Sequence, residues 1–202
     1  MPMKRLSPLP SLLCPVVGAA FLICLAGCAT QGPGPSALCN LKDDNGNLIP
    51  STFTGTLNPR HQGHAATHVV LLQKVETACC NGYDRTIFTF DGIHHPTWRT
   101  RYVLPPIQQC ASGNNIAVAG TAFLQISMDT AQAHNDAGQS TIPDRDRHLN
   151  CPNLKQLVLT CDFEAKVGFV FGLDSKKPYR VVELQNPTRL VIDVHSGRRL
   201  LP

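Results

Sequence analysis

Tyr179-Arg-Val-Val-Glu-Leu-Gln-Asn-Pro-Thr-Arg-Leu-Val-Ile-Asp-Val194 reads as two β-strands joined by a tight Asn-Pro-Thr-Arg turn. Proline cannot donate to a strand ladder, so Pro187 marks the break between them. Beyond the turn, Leu190, Ile192 and Val194 alternate with Arg189, Val191 and Asp193, the period of a strand with one apolar face. The same alternation runs through Val167, Phe169 and Phe171, and the two apolar faces are expected to meet in a core. Working outward, β-rich runs at 69–75, 85–90, 98–104, 116–118, 123–128, 156–159, 165–171, 179–184 and 190–194 are separated by turn formers, with no sustained helical period. Many short strands separated by turn signals predict a single all-β domain, a β-sandwich or barrel. The polar stretch 130–152 is expected to be a long surface loop ended by Cys151.

The other end of the chain has a different character. Residues 1–27 open with Lys4 and Arg5, continue through an apolar run from Leu12 to Ala26, and end on small residues before Cys28, the composition of an export signal. The alternative, a transmembrane helix, is disfavoured by the length of that run, short of the ~20 residues needed to span a bilayer, and by Pro15 inside it. Leu25-Ala26-Gly27-Cys28 resembles the bacterial lipobox. That resemblance implies lipidation of Cys28, a membrane held through the lipid, and, in a two-membrane envelope, placement at the outer membrane because Ala29 is neutral. Residues 28–67 hold GPGP, DDNGN and GTLNP and are read as a lipidated N-terminus and tether, leaving 68–202 as the β-domain.

Of the nine cysteines, Cys14 and Cys24 fall in the export signal and Cys28 in the lipobox. Cys39, Cys79, Cys80, Cys110, Cys151 and Cys161 remain, an even set that in an exported chain reads as up to three disulfides, with 15 possible connectivities. The adjacent Cys79 and Cys80 should each pair elsewhere. A zinc site would show CxxC spacing, which is absent. Basic residues number 18 against 14 acidic ones, and without Lys4 and Arg5 the charge is near +2. The basic residues are scattered, so nucleic acid is not an expected partner.

The 179–194 stretch, taken with Gly82-Tyr-Asp-Arg-Thr-Ile-Phe-Thr-Phe-Asp-Gly92 and Phe169-Val-Phe-Gly-Leu-Asp174, resembles in order the AMIN-like branch of AMIN-type domains found on small bacterial lipoproteins. The resemblance implies a β-sandwich-like domain of the cell envelope. It also implies a non-catalytic role in binding cell-wall glycan, peptidoglycan above all, or another envelope component. An assembly protein that recognises an envelope protein through a strand edge is the alternative, and an unrecognised hydrolase a more distant one.

The chemistry-bearing residues fit that expectation. No GxSxG elbow or comparable nucleophile signature occurs, and no cofactor or metal centre is expected. His61-x2-His64-x3-His68 and His94-His95 are read as loop histidines rather than metal ligands. Asp84, Asp91, Asp174 and Asp193 are placed at strand ends or on solvent faces, with Arg189 and Asp193 sharing one face of the last strand in surface ion pairs. Tyr83, Arg99, Arg101, Arg180 and Arg189 are the candidate binding residues, since aromatic faces and guanidinium forks grip glycans and anionic polymers. Trp98 is expected in the core, with Arg99 and Arg101 on the opposite, exposed face of the same strand.

Overall fold

The computed structural model describes residues 34–50, 52–65 and 68–197. Residues 1–27, read as an export signal, and Cys28 lie outside the described residues. After a short helix, α1 (Pro35–Cys39), come β1 (Arg60–Gln62), β2 (Val70–Cys79) and β3 (Gly82–Phe90). They are followed by β4 (Thr97–Val103), β5 (Ile107–Gln108), β6 (Asn115–Ile116), β7 (Ala122–Asp129), β8 (Ala131–Gln132) and β9 (Asp146–His148). The chain then runs through β10 (Leu154–Phe163), β11 (Lys166–Leu173), β12 (Tyr179–Leu184) and β13 (Arg189–Gly197).

These strands form two facing sheets. One has the order β1-β4-β7-β11-β10-β9, the other β12-β13-β3-β2-β8, and β5 and β6 make a separate hairpin. Pairing is antiparallel except between β2 and β8. The alternating faces meet as their sequence requires. Phe88 of β3 lies 5.1 Å from Phe169 of β11, ring centre to ring centre. Leu190, Ile192 and Val194 close over Leu124, Ile126, Met128 and Phe171, all essentially inaccessible to solvent. Trp98 joins this core and donates its indole N–H to Glu183 Oε1 at 2.6 Å.

The six cysteines form three disulfides: Cys39–Cys80, Cys79–Cys151 and Cys110–Cys161. Adjacent residues leaving a strand project to opposite sides, and this explains how Cys79 and Cys80 avoid each other. Cys79 packs against the main core, whereas Cys80 belongs to a second apolar cluster with Leu38, Ile49, Tyr83, Ile87, Leu184 and Val191. That cluster is the outer face of the five-stranded sheet, roofed by Leu38, Leu41, Ile49 and Phe53. The turn-rich segment read as a tether therefore adheres to the sheet over its described part. Thr56 extends the attachment by exchanging backbone hydrogen bonds with Tyr179 at 2.9 and 3.0 Å.

Two further expectations need correction. The stretch 130–152 is not simply a surface loop, because Ala131, Ala133, Ile142 and Cys151 are buried and short pieces pair as β8 and β9. A few apolar residues spaced among polar ones suffice to join the stretch to the main core. Asp84 and Asp193 are not on solvent faces, being 1% and 0% exposed. Asp84 points into the region between the sheets, where its Oδ2 accepts the backbone N–H groups of Asn153 and Leu154 at 2.8 and 2.6 Å, while Oδ1 has no partner among the described residues.

Burial raises the Asp84 pKa against the opposing pull of those two hydrogen bonds. The folded state thus holds the Asp84 proton more tightly than the unfolded chain does. The resulting stabilisation is complete below the ordinary carboxylate pKa and is lost as pH rises through the raised value. An asparagine side chain at this position would accept the same two hydrogen bonds without a charge. Asp84→Asn should therefore flatten the decline in the urea midpoint as pH rises above the ordinary carboxylate range and be at least as stable as the parent at neutral pH. An unchanged pH profile in the variant would contradict this assignment.

Candidate functional site

The outer face of the six-stranded sheet carries the candidate site. Strand alternation turns Leu124, Ile126 and Met128 of β7 inward and Gln125, Ser127 and Asp129 outward. On β11, Val167 and Phe169 turn inward and Lys166 and Gly168 outward. Register brings these positions into rows: Arg99 lies opposite Ser127 and Arg101 opposite Gln125, while Lys166 lies opposite Asp129 and Gly168 opposite Ser127. An open groove of about 640 Å³ follows these rows, its floor set by Gln125, Ser127 and Gly168.

The hairpin formed by β5 and β6 makes the far wall. It is fastened to β10 by Cys110–Cys161 and by the Cys110 N–H, which donates to the Thr160 carbonyl at 3.1 Å. A bulge in β10 between Leu159 and Cys161 turns Thr160 and Cys161 toward the groove. Opposite the bulge, a Cβ on Gly168 would lie 3.1 Å from Cys161 Cβ and 3.3 Å from Thr160 Oγ1, so any side chain there would push these groups back by a few tenths of an ångström. The arm continues across Gly172, where Ala119 and Val118 rest against the bare Cα, and Ala119 N–H donates to Gln156 Oε1 at 2.5 Å.

The groove is basic. Arg99, Arg101 and Lys166 face a single carboxylate among the described residues, Asp129, which accepts from Arg99 at 2.9 Å and lies 3.5 Å from Lys166. Arg101 has Gln125 Oε1 at 3.4 Å and no carboxylate partner among the described residues. Amides of Gln108, Gln109 and Gln125 and hydroxyls of Ser127 and Thr160 supply neutral hydrogen-bonding groups.

Arg99 and Arg101 are thus the two sequence candidates that the structure places in this groove. Tyr83 and Arg180, expected on the surface, are drawn into the second apolar cluster. There Arg85, fully buried, grips Asp193 with Nε at 2.7 Å and the second fork nitrogen at 2.8 Å. Arg180 bonds the same carboxylate at 2.7 and 2.9 Å, and the Tyr83 hydroxyl donates to the Cys39 carbonyl at 3.0 Å. Burial works against the Arg85 charge, but the hydrogen bonds and charge of Asp193 outweigh it and hold the guanidinium pKa above its ordinary value. Arg189 takes no part. It is half-buried and donates to the Pro187 carbonyl at 3.1 Å, at the turn end of β13 and roughly 13 Å along the strand from Asp193.

Lys166, Gln125 and Ser127 are the groove residues that the sequence reading passed over. Alternation within each strand already turned them outward. What joined them to Arg99 and Arg101 was the lateral order of β4, β7 and β11, which a single strand does not encode.

A second, smaller hollow of about 270 Å³ is lined by His64, His94, His95, Ile93, Glu183 and Gln185. His64 Nε2 lies 2.7 Å from Glu183 Oε1, the oxygen that also receives the Trp98 indole. Burial lowers the His95 pKa, which keeps that ring neutral near pH 7. His61 is exposed on β1 and His68 stacks edge-on against His94. Among the described residues, no group of three or more His, Cys, Asp or Glu side chains is arranged to hold a metal ion.

The domain is thus a disulfide-stapled β-sandwich with one open, basic face. The chain belongs to the AMIN-like domain family, whose model matches residues 70–196, a binding-type family without catalytic function that is associated with the cell envelope. No curated protein and no solved structure matches the chain. No helix among the described residues is long and apolar enough to cross a membrane.

Proposed function

We propose that the protein is a lipid-anchored, non-catalytic module of the cell envelope that binds cell-wall glycan or a related envelope component in the groove between β4 and the β5–β6 hairpin. The observation that carries this reading is the convergence of Arg99, Arg101 and Lys166 on one open groove lined by amides and hydroxyls, in a domain of an envelope-associated binding family. Guanidinium forks suit planar oxyanions, and side-chain amides suit sugar hydroxyls and acetamido groups. The lipobox Leu25-Ala26-Gly27-Cys28 supports attachment through Cys28, with the outer membrane as the site in a two-membrane envelope. Two or more acyl chains on that residue would hold the groove near the wall durably.

The test is retention of the full-length, detergent-extracted protein on purified cell wall at low and moderate salt. The wild type is expected in the pellet, and Arg99→Ala/Arg101→Ala should weaken retention about tenfold. A wild type that stays in the supernatant at both salt levels overturns the wall-binding reading. Intact mass spectrometry of the same preparation should find acyl mass on Cys28, and an unmodified thiol there would overturn the anchor.

A further inference from the structure

Resting on the groove reading, we infer that the groove's ligand is recognised by repeated oxyanions, carboxylate or phosphate, rather than by the apolar faces of neutral sugars, and that Arg101 is the principal anion fork. The lining of the groove contains no aromatic side chain among the described residues. Trp98, the aromatic residue next to Arg99, is 4% exposed and belongs to the core, and Tyr102 turns to the inner side, where its ring lies 6.0 Å from Tyr179. A sugar bound chiefly by stacking has no platform here. What the groove offers is charge.

The cations are disposed for a chain of charges. Arg99 and Arg101 occupy alternate positions of one strand, which sets their Cα atoms roughly 7 Å apart on the same face. Lys166 lies two strands away, roughly 10 Å across the sheet. Asp129 sits at the Lys166 end and engages Lys166 and Arg99, so two of the three cations are partly neutralised in the free protein. Arg101 is not, because its Nε meets only the amide oxygen of Gln125 at 3.4 Å. A carboxylate or phosphate entering beside Gln125 would gain a bidentate partner without displacing an internal ion pair. Further oxyanions along the same polymer would compete with Asp129 for Arg99 and Lys166.

This arrangement separates two substitutions by sign. Arg101→Gln removes the fork and should weaken binding about fivefold. It should also lower the slope of log affinity against log salt by about one. Asp129→Asn releases Arg99 and Lys166 and should tighten binding about threefold, an outcome that damage to the fold would not produce. Lys42→Gln, an equal loss of charge on a residue that does not line the groove, serves as the control and should leave affinity unchanged.

The measurement is fluorescence anisotropy with the full-length protein in detergent and three labelled probes: poly-L-glutamate, polyphosphate and a neutral N-acetylglucosamine oligomer. Binding of one or both polyanions, with the neutral oligomer far weaker, is the expected result, and the preferred polyanion identifies the source as carboxylate or phosphate. Salt-independent binding of the neutral oligomer, or equal losses in Arg101→Gln and Lys42→Gln, overturns the oxyanion subsite. Either result leaves the groove as a wall site if the protein is still retained on purified wall, whereas loss of that retention is what overturns the broader reading.

Discussion

Asp193→Ala should destabilise the protein by about 3–5 kcal/mol, the largest effect of any single side-chain truncation considered for this fold. The carboxylate is wholly buried and is held by Arg85, itself 0% exposed, and by Arg180, 15% exposed. Removing it leaves two guanidinium groups without a counter-ion in a layer that water scarcely reaches, and an uncompensated buried charge is far more damaging than the loss of a pair as a whole. Arg85→Met should be much milder. Asp193 would keep Arg180, the methionine would fill apolar space beside Ile87 and Val191, and the Cys39 carbonyl would keep the Tyr83 hydroxyl, so the hydrogen bond lost outright is the one from Arg85 to the Leu38 carbonyl at 3.0 Å. The difference is measured by urea unfolding of the oxidised proteins. Equal losses in the two variants would mean that the pair contributes mainly by packing and that its charges are better solvated than the geometry indicates.

Cys79→Ala/Cys151→Ala should destabilise by about 2–5 kcal/mol and by more than Cys110→Ala/Cys161→Ala. Loop entropy alone hardly separates them. The bridges close 72 and 51 residues, and a full doubling of loop length is worth only about 0.6 kcal/mol. Packing separates them instead. Cys151 is 2% exposed within the main core, so truncation there also opens a cavity between the sheets. Cys110 holds a hairpin whose other side faces the open groove, and its release should loosen that wall and weaken ligand binding more than it lowers global stability. Denaturation midpoints and groove affinity, measured on both double variants, should therefore rank them in opposite orders. The same order in both measurements would show that the hairpin is part of the cooperative fold.

How much of this was legible in the sequence depends on how far each feature reaches along the chain. The strand containing Leu190, Ile192 and Val194 was plain because alternation is local, and so was the partner face of Phe169 and Phe171. The separate fates of Cys79 and Cys80 followed from adjacency. Their partners did not, because pairing depends on which loops cross which sheet. Asp193 was misplaced for an instructive reason. Opposite an apolar face, alternation predicts solvent, and it is solvent in a two-layer sandwich. Here Leu38, Ile49 and Phe53, spaced through a segment dominated by turn formers, add a third layer over Tyr83, Arg85 and Asp193. Two or three apolar residues among prolines and glycines give no periodic signal, although Cys39 was a sign that the segment was held down. The groove was half legible: Arg99 and Arg101 were visible on one strand, and Lys166 joined them only through lateral strand order.

The neighbouring pair Cys79 and Cys80 also bears on mechanics. From Cys39 a covalent line crosses to Cys80, passes through one peptide bond to Cys79, crosses again to Cys151, follows β10 to Cys161, and ends at Cys110 in the groove wall. Were the protein held at its N-terminus and pulled at the Cys110 wall, tension would run along this line of bonds and bypass the strand ladders. Load on Arg99 or Arg101 would instead enter β4, whose ladder to β7 none of the three bridges spans, so the wall of the groove is covalently braced and its arginine side is not.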